Sequence, residues 1–203
     1  MIAIVDYGVG NLFSLKSSLS MIGAEAMVTG SAEDLRAAKK IILPGVGAFE
    51  DAANKLRATG LDAIVTEQAQ AGKPLLGICL GMQMLFERSF EYGEHRGLGL
   101  LRGDVVDMRG RIPESLKVPH IGWNALRFRQ PDHPLFRYIK EGDCVYFVHS
   151  FYAANCEEAT LATAEYGAEL TAAVGSKNVL GCQFHPEKSG RVGLNILRAF
   201  CEL

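Results

Sequence analysis

Three short stretches of this chain carry groups able to act together on a carbonyl group. In GICLGMQ (77–83), Cys79 stands between two glycines, where an apolar run ends and a helix-like pattern begins. G-x-C-x-G is the thiol version of the nucleophile elbow. A tight strand-to-helix turn lifts the central side chain out of the sheet, and side chains two before and two after it would collide. Unpaired N–H groups at the start of the next helix favour thiolate over thiol, and the N–H of Leu80 can face an oxyanion. The same pentapeptide also reads as a small buried Cys in a glycine-rich turn. Its own residues leave the two readings open.

A thiolate that attacks a carbonyl needs a base or proton donor, usually His. Of the five histidines, His95 and His133 lie in polar, loop-like stretches, and His120 follows a proline in VPHIGWN. His149, in FVHSFY, ends a strand pattern where it could line a site. His185 is the best placed. In VLGCQFHPEKSG it follows an apolar strand, and Pro186 biases it away from helical geometry. Glu187, two residues on, is positioned to orient the imidazole. Cys79, His185 and Glu187 thus have the types needed for nucleophile, base and orienter. His-Pro-Glu alone is equally a loop with a surface Glu; the upstream G-x-C-x-G strengthens it. The segment LPGVGAF (43–49) ends another strand with two glycines and can turn the N–H of Val46 or Gly47 toward the reacting carbon. In isolation it is an ordinary strand-to-helix loop.

Neither a G-x-G-x-x-G nor a G-x-x-x-x-G-K-[ST] is present, and the His and Cys residues lack metal-ligand spacing, so neither cofactor nor metal is expected. Five cysteines without a C-x-x-C pair argue against a disulfide framework or a structural zinc site.

The elements that must position these residues alternate. Residues 2–6 read as a buried strand. Leu12, Leu15, Leu19 and Ile22 keep helical spacing up to Gly23. Strands follow at 25–29, 40–45 and 74–78, with helices from Ser31, at 49–59 and 61–71, and the helix after Cys79 is expected to run through MQMLFERS. The second half, from GLGLLRGDVVDM to VLGCQF, reads as short strands, some antiparallel, and SGRVGLNILRAFCEL closes as a helix. The expected fold is α/β, with a mixed, mainly parallel central sheet and helices on both faces. At 203 residues, 48% of them apolar and 22% charged, the chain suits a single domain spanning 1–203. A net charge of −2 with no basic stripe gives nucleic-acid binding no support. No run approaches the ~20 apolar residues that span a bilayer, and the N-terminus lacks a basic signal-peptide region. A cytoplasmic location without membrane contact is expected.

In that order and spacing, PGVGAF, GICLGMQMLFE and QFHPEKSG resemble the class I (triad) glutamine amidotransferases, over essentially the whole chain. DYGVGNL (6–12), GLGLL (97–101), VPHIGWN (118–124) and YFVHSFY (146–152) are similar to the glutaminase subunits of imidazole glycerol phosphate synthase, in histidine biosynthesis. The resemblance implies a flavodoxin-like fold and hydrolysis of L-glutamine by Cys79 through a thioester, with His185 and Glu187 assisting. It implies an oxyanion site at Leu80 and at Val46 or Gly47. Gln83 and Glu91, on the helix after the nucleophile, together with His149, Ser150 and Phe151, would hold the amino and carboxylate ends of glutamine. Phe151 stands where relatives often carry Tyr, which leaves a backbone contact there but no hydroxyl. The implied partner is a separate (β/α)8 cyclase in a heterodimer, facing Asn11 and Trp123. Trp123, the sole Trp, also reads as core packing. The family further implies coupling of hydrolysis to the cyclase, for which a peptide rotation in the glycine-rich 44–49 loop is the expected device.

Other readings weigh less. The glutaminases that serve pyridoxal phosphate synthesis carry a GGES-like segment where this chain has GVGAF. Cysteine peptidases and thiol stress proteins on similar folds rarely combine His-Pro-Glu with a Gln four residues after the nucleophile. A non-catalytic scaffolding subunit has no physical need of Cys79, His185 and Glu187 together.

Overall fold

The computed structural model describes all 203 residues. In chain order the elements are β1 (Ile2–Val5), α1 (Leu12–Met21), β2 (Ala26–Thr29), α2 (Ala32–Ala37), β3 (Lys40–Gly45), α3 (Phe49–Ala58), α4 (Leu61–Gln70), β4 (Leu75–Cys79) and the single turn α5 (Leu80–Gln83). There follow β5 (Phe86–Ser89), β6 (His95–Arg96), β7 (Leu101–Asp107), β8 (His120–Phe128), β9 (Cys144–His149), β10 (Phe151–Ala154), β11 (Thr160–Glu165), β12 (Glu169–Ser176), β13 (Val179–Cys182) and α6 (Gly190–Glu202).

Nine strands form one mixed sheet in the order β2-β1-β3-β4-β13-β12-β11-β8-β9. The strands from β2 to β13 in that order run parallel, and the remainder pair antiparallel. A smaller sheet, β10-β7-β5-β6, lies beside it.

The parallel strands read as unbroken apolar runs because both faces are covered. Alternate residues point to opposite sides. Ala3, Val5, Ile41, Leu43 and Leu75 pack with Leu35, Phe49, Leu56 and Val65 of α2, α3 and α4. Ile2, Ile4, Ile42, Leu76 and Ile78 pack with Leu15 and Leu19 of α1 and with Ile196, Leu197 and Phe200 of α6. Each such Val, Leu, Ile or Phe side chain, fully buried, stabilises the fold by about 1.5–3 kcal/mol before its ordering entropy is subtracted. Ser31 caps α2 by accepting from Asp34 N–H.

The helix expected through MQMLFERS is one turn long. The carbonyls that would continue it are taken from outside: Leu98 N–H donates to Met84 O, Leu100 N–H to Leu85 O, and Gly99 N–H to Phe86 O. Residues 86–89 then join the smaller sheet as β5. Glu91 consequently lies in the turn after β5 and on no helix.

Candidate active site

The chemistry gathers outside the carboxyl ends of β3, β4 and β13, where open α/β sheets form their sites. Cys79 ends β4 with φ 54° and ψ −113°, a conformation costly for any residue with a Cβ. Gly77 and Gly81 make the turn possible. A Cβ on Gly77 would sit 2.7 Å from the Gly81 carbonyl and from Met82 N, and one on Gly81 would sit 1.9 Å from the Leu43 carbonyl. The spacing of G-x-C-x-G is therefore steric: the turn folds back onto its own strand and onto β3.

β13 runs parallel to β4 in direct register, so its continuation reaches the same edge. His185 is fixed there by its N–H, which donates to Tyr146 O at 3.0 Å. Ser189 Oγ donates to the His185 carbonyl and accepts from Tyr146 N–H, tying the turn Pro186–Lys188 to β9. His185 Nδ1 meets Glu187 Oε1 at 2.8 Å, with both side chains about 3% exposed. The other carboxylate oxygen, Oε2, is buried and unpartnered within the chain. Burial opposes a charged imidazole, but hydrogen bonding and charge from Cys79, then from Glu187, outweigh it and raise His185 from the ordinary 6.5 to about 9. The ring is thus an imidazolium at neutral pH, facing a sulfur on one side and a carboxylate on the other.

Gly45 pairs with Cys79 in register, which brings the loop of Val46 and Gly47 beside the thiol; Gly47 has φ 89°, in the left-handed region. A cavity of about 260 Å³ is lined by Val46, Gly47, Cys79, Leu80, Gln83, Glu91, Pro119, Val148, His149, Ser150, Phe151 and His185. Every residue expected to touch substrate or oxyanion is there, and Glu187 stands one layer behind His185, where it lines a narrower cavity with Asn11. A wider cavity of about 420 Å³ beside Arg111, Arg129 and Tyr152 contains a thiol, Cys156, but no histidine. Burial pushes that thiol up, and it meets Thr160 and Thr171 hydroxyls. Chemistry selects the smaller cavity.

Polar groups inside it are ordered. Gln83 Nε2 donates to Phe151 O and to Gln183 Oε1, both at 3.0 Å, which leaves its own Oε1 to accept. Gln183 Nε2 donates to Cys79 Sγ at 3.6 Å. Glu91 Oε2 accepts from Phe49 N–H at 2.7 Å, the first residue of α3. Burial raises the Glu91 carboxyl, and the Phe49 hydrogen bond partly offsets this. His149, in turn, is pushed down to about 4, chiefly by burial.

Two participants escaped sequence reading. Gln183 is fully buried and touches the sulfur; its sign was its place two residues before His185. Tyr7, buried, donates to Pro44 O at the foot of the 46–47 loop, and burial and the charge of Cys79 raise its phenol. Trp123 is not core: it is 55% exposed and edge-on to Tyr146. Asn11 caps α1 without a side-chain hydrogen bond.

Comparison with known proteins gives the family and the fold. The family model for class-I glutamine amidotransferases matches residues 3–202. The chain is 50% identical over 203 residues to the imidazole glycerol phosphate synthase subunit HisH of Geobacillus kaustophilus, covering 98% of this chain and 95% of that one. It is 47% identical to the protein of the same name from Caldanaerobacter subterraneus, covering 100% and 98%. A crystal structure of a glutamine amidotransferase superposes with TM-score 0.77 at 22% identity, covering 100% and 98% of the two chains. The PurLQS structure from Thermotoga maritima gives 0.74 at 21%, covering 99% and 97%. At such identities the solved structures speak to the fold alone.

Proposed function

The chain belongs to the class-I glutamine amidotransferases, within the family of glutaminase subunits of imidazole glycerol phosphate synthase, and from that premise we propose how its own residues carry the reaction. One amidotransferase domain fills residues 1–203, and its work is to release ammonia from L-glutamine for histidine biosynthesis. Cys79 Sγ attacks the side-chain amide carbon of glutamine. The carbon–nitrogen bond breaks as the His185 imidazolium gives its proton to the leaving nitrogen, and ammonia departs. Water then attacks the γ-glutamyl thioester, giving its proton to His185; the carbon–sulfur bond breaks, and glutamate leaves. Glu187 holds the imidazole in its orientation.

The N–H groups of Leu80 and of Val46 or Gly47 hold the oxyanion in both steps. Glu91 pairs with the substrate ammonium, and Gln83 accepts from the same group through Oε1. His149, Ser150 and the Phe151 backbone take the carboxylate end. The observation that carries this reading is the strained Cys79, at φ 54°, set against an imidazole that a buried carboxylate anchors at 2.8 Å.

Free ammonia is protonated in water, so a glutaminase whose ammonia is to be used hands it directly to a partner. The relatives' names describe them as synthase subunits. The partner is a (β/α)8 cyclase that joins the ammonia to an activated ribonucleotide, giving imidazole glycerol phosphate and an aminoimidazole carboxamide ribonucleotide. Asn11 and Trp123 lie on the face that docks it. No helix is long and apolar enough to cross a membrane, and the heterodimer works in the cytoplasm.

The test is glutamate release from the chain mixed with its cyclase and a cyclase ligand, with wild type and Cys79→Ala side by side. Release by the wild type alone is expected. Equal release by both refutes the catalytic assignment, and no response to any cyclase refutes the pathway.

A further inference from the structure

Four contacts run in series from the wall of the site to a neighbouring strand. His149 Nδ1 meets the Phe151 carbonyl at 2.8 Å, and His149 Nε2 meets His120 Nδ1 at 3.1 Å. His120 Nε2 meets Asn124 Oδ1 at 2.7 Å, and Asn124 Nδ2 meets the Glu165 carbonyl at 2.8 Å. Both ends of the chain are backbone carbonyls, which only accept.

Four contacts need four protons. Each neutral imidazole brings one, and the Asn124 amide can aim its donor end at only one neighbour, so the neutral chain has three. Turning the amide over, or choosing other tautomers, moves the missing proton to another contact without supplying it. One added proton, making either ring an imidazolium, completes all four. The surroundings suit that charge. The His120 ring stacks on Tyr166 at 4.0 Å and on Phe147 at 5.1 Å, with interplanar angles of 18° and 21°, and aromatic faces attract cations.

The cavity, for its part, lacks a free counter-charge for an anion. Among its lining residues only His149 and His185 can be positive, and His185 is engaged by Cys79 and Glu187. We propose that the His120 and His149 pair is the counter-charge for the α-carboxylate of the substrate and takes up one proton as that carboxylate enters. This rests on glutamine being the substrate. It makes His120 and Asn124, neither of which lines the cavity, positioning residues that act through His149.

Burial holds both rings below the ordinary histidine range, so the proton arrives with the anion rather than before it. The other ionisable groups facing the pair are His185, whose charge disfavours a second one on His149, and the Tyr166 phenol. The Glu165 carboxylate turns away to Arg127.

The test is calorimetric titration of L-glutamine into the heterodimer carrying Cys79→Ala, near neutral pH, in buffers of different ionisation enthalpy. Glutamine should bind with uptake of about one proton beyond that seen with two further variants. Asn124→Leu removes two of the four contacts, so two neutral rings satisfy what remains: the extra uptake should vanish and affinity fall about tenfold. Asn124→Asp places a fixed carboxylate on His120, so the pair is charged in advance: the extra uptake should vanish while affinity stays. 4-Aminobutanamide, which lacks the carboxylate, should bind without the extra uptake. Glutamine binding with the same uptake in all three proteins overturns the inference and leaves the glutaminase reading standing. Glutamine failing to bind the Cys79→Ala heterodimer overturns the substrate reading and the inference with it.

Discussion

The Tyr7 hydroxyl donates to the Pro44 carbonyl at 2.7 Å, so a buried phenol from the loop after β1 holds the strand end from which Val46 and Gly47 depart. The same hydroxyl lies 3.0 Å from where a Cβ on Gly45 would be. The contact sets how far the loop stands from Cys79. Tyr7→Phe should cost about 1 kcal/mol of stability, the usual worth of a hydrogen bond, and more because the carbonyl stays buried. With the loop misplaced, glutamate release in the heterodimer should fall about tenfold or more, with KM for glutamine little changed. Urea unfolding and steady-state kinetics check the two parts separately.

Gly81→Ala should be severe. Its Cβ would lie 1.9 Å from the backbone of β3, which has no flexible end to move aside. Overpacking of this kind costs about 1–3 kcal/mol or more. Thermal unfolding should show the loss, and any folded fraction should release no glutamate because Cys79 is displaced.

The pH dependence follows from His185. Its folded value, about 9, lies above the ordinary 6.5. A raised histidine contributes stability that is fully present below pH about 6.5 and is lost as pH rises through about 9. The melting temperature should therefore decline across that window. Cys79→Ala removes the largest of the interactions that raise His185, so the decline should flatten. A decline of unchanged size in Cys79→Ala would disprove the assignment. His149 acts in the opposite sense: lowered to about 4, it contributes stability present above about 6.5 and lost as pH falls through about 4.

Glu91 has two duties that substitution can separate. Glu91→Gln keeps an oxygen for Phe49 N–H but loses the charge for the substrate ammonium. KM for glutamine should rise about tenfold, with the melting temperature nearly unchanged. Glu91→Ala should raise KM and also destabilise α3 by about 1 kcal/mol.

Trp123 stands 55% exposed on β8. Trp123→Ala should weaken association with the cyclase by about 2 kcal/mol or more and leave the isolated chain's unfolding midpoint in place. The isolated chain should release glutamate slowly and respond strongly to cyclase plus its ligand. Full activity in isolation would contradict the switching role given to the 46–47 loop. Titration of cyclase by glutamate release measures both effects.

Much of this site was legible because its signals are local. The glycines around Cys79 are demanded by atoms within a few residues or on the adjoining strand, and His185, Pro186 and Glu187 are neighbours in sequence. Burial of both faces of β1, β3 and β4 likewise follows from their unbroken apolar runs. The failures are where distant atoms decide. Met82, Leu85 and Phe86 keep helical spacing, yet residues 98–101 capture the carbonyls and pull 86–89 into a sheet. Tyr7 acts only through a partner far away in the chain, so its neighbours in sequence say nothing of it, and Gln183 has only its place two residues before His185 to mark it. The four-contact histidine chain draws on four strands, β8, β9, β10 and β11, and no single stretch announces it.

The Glu91 carboxylate accepts from the N–H of Phe49, two residues beyond Gly47. One hydrogen bond therefore links the subsite proposed for the substrate ammonium to the loop proposed for the oxyanion. An ammonium that draws the carboxylate inward loosens the start of α3, and a loop that moves changes the grip on the ammonium. Reciprocity of linked equilibria then applies: whatever factor the cyclase imposes on affinity for glutamine, glutamine must impose on affinity for the cyclase. A cyclase that moves this loop makes the amino acid and the partner subunit, in thermodynamic terms, effectors of each other.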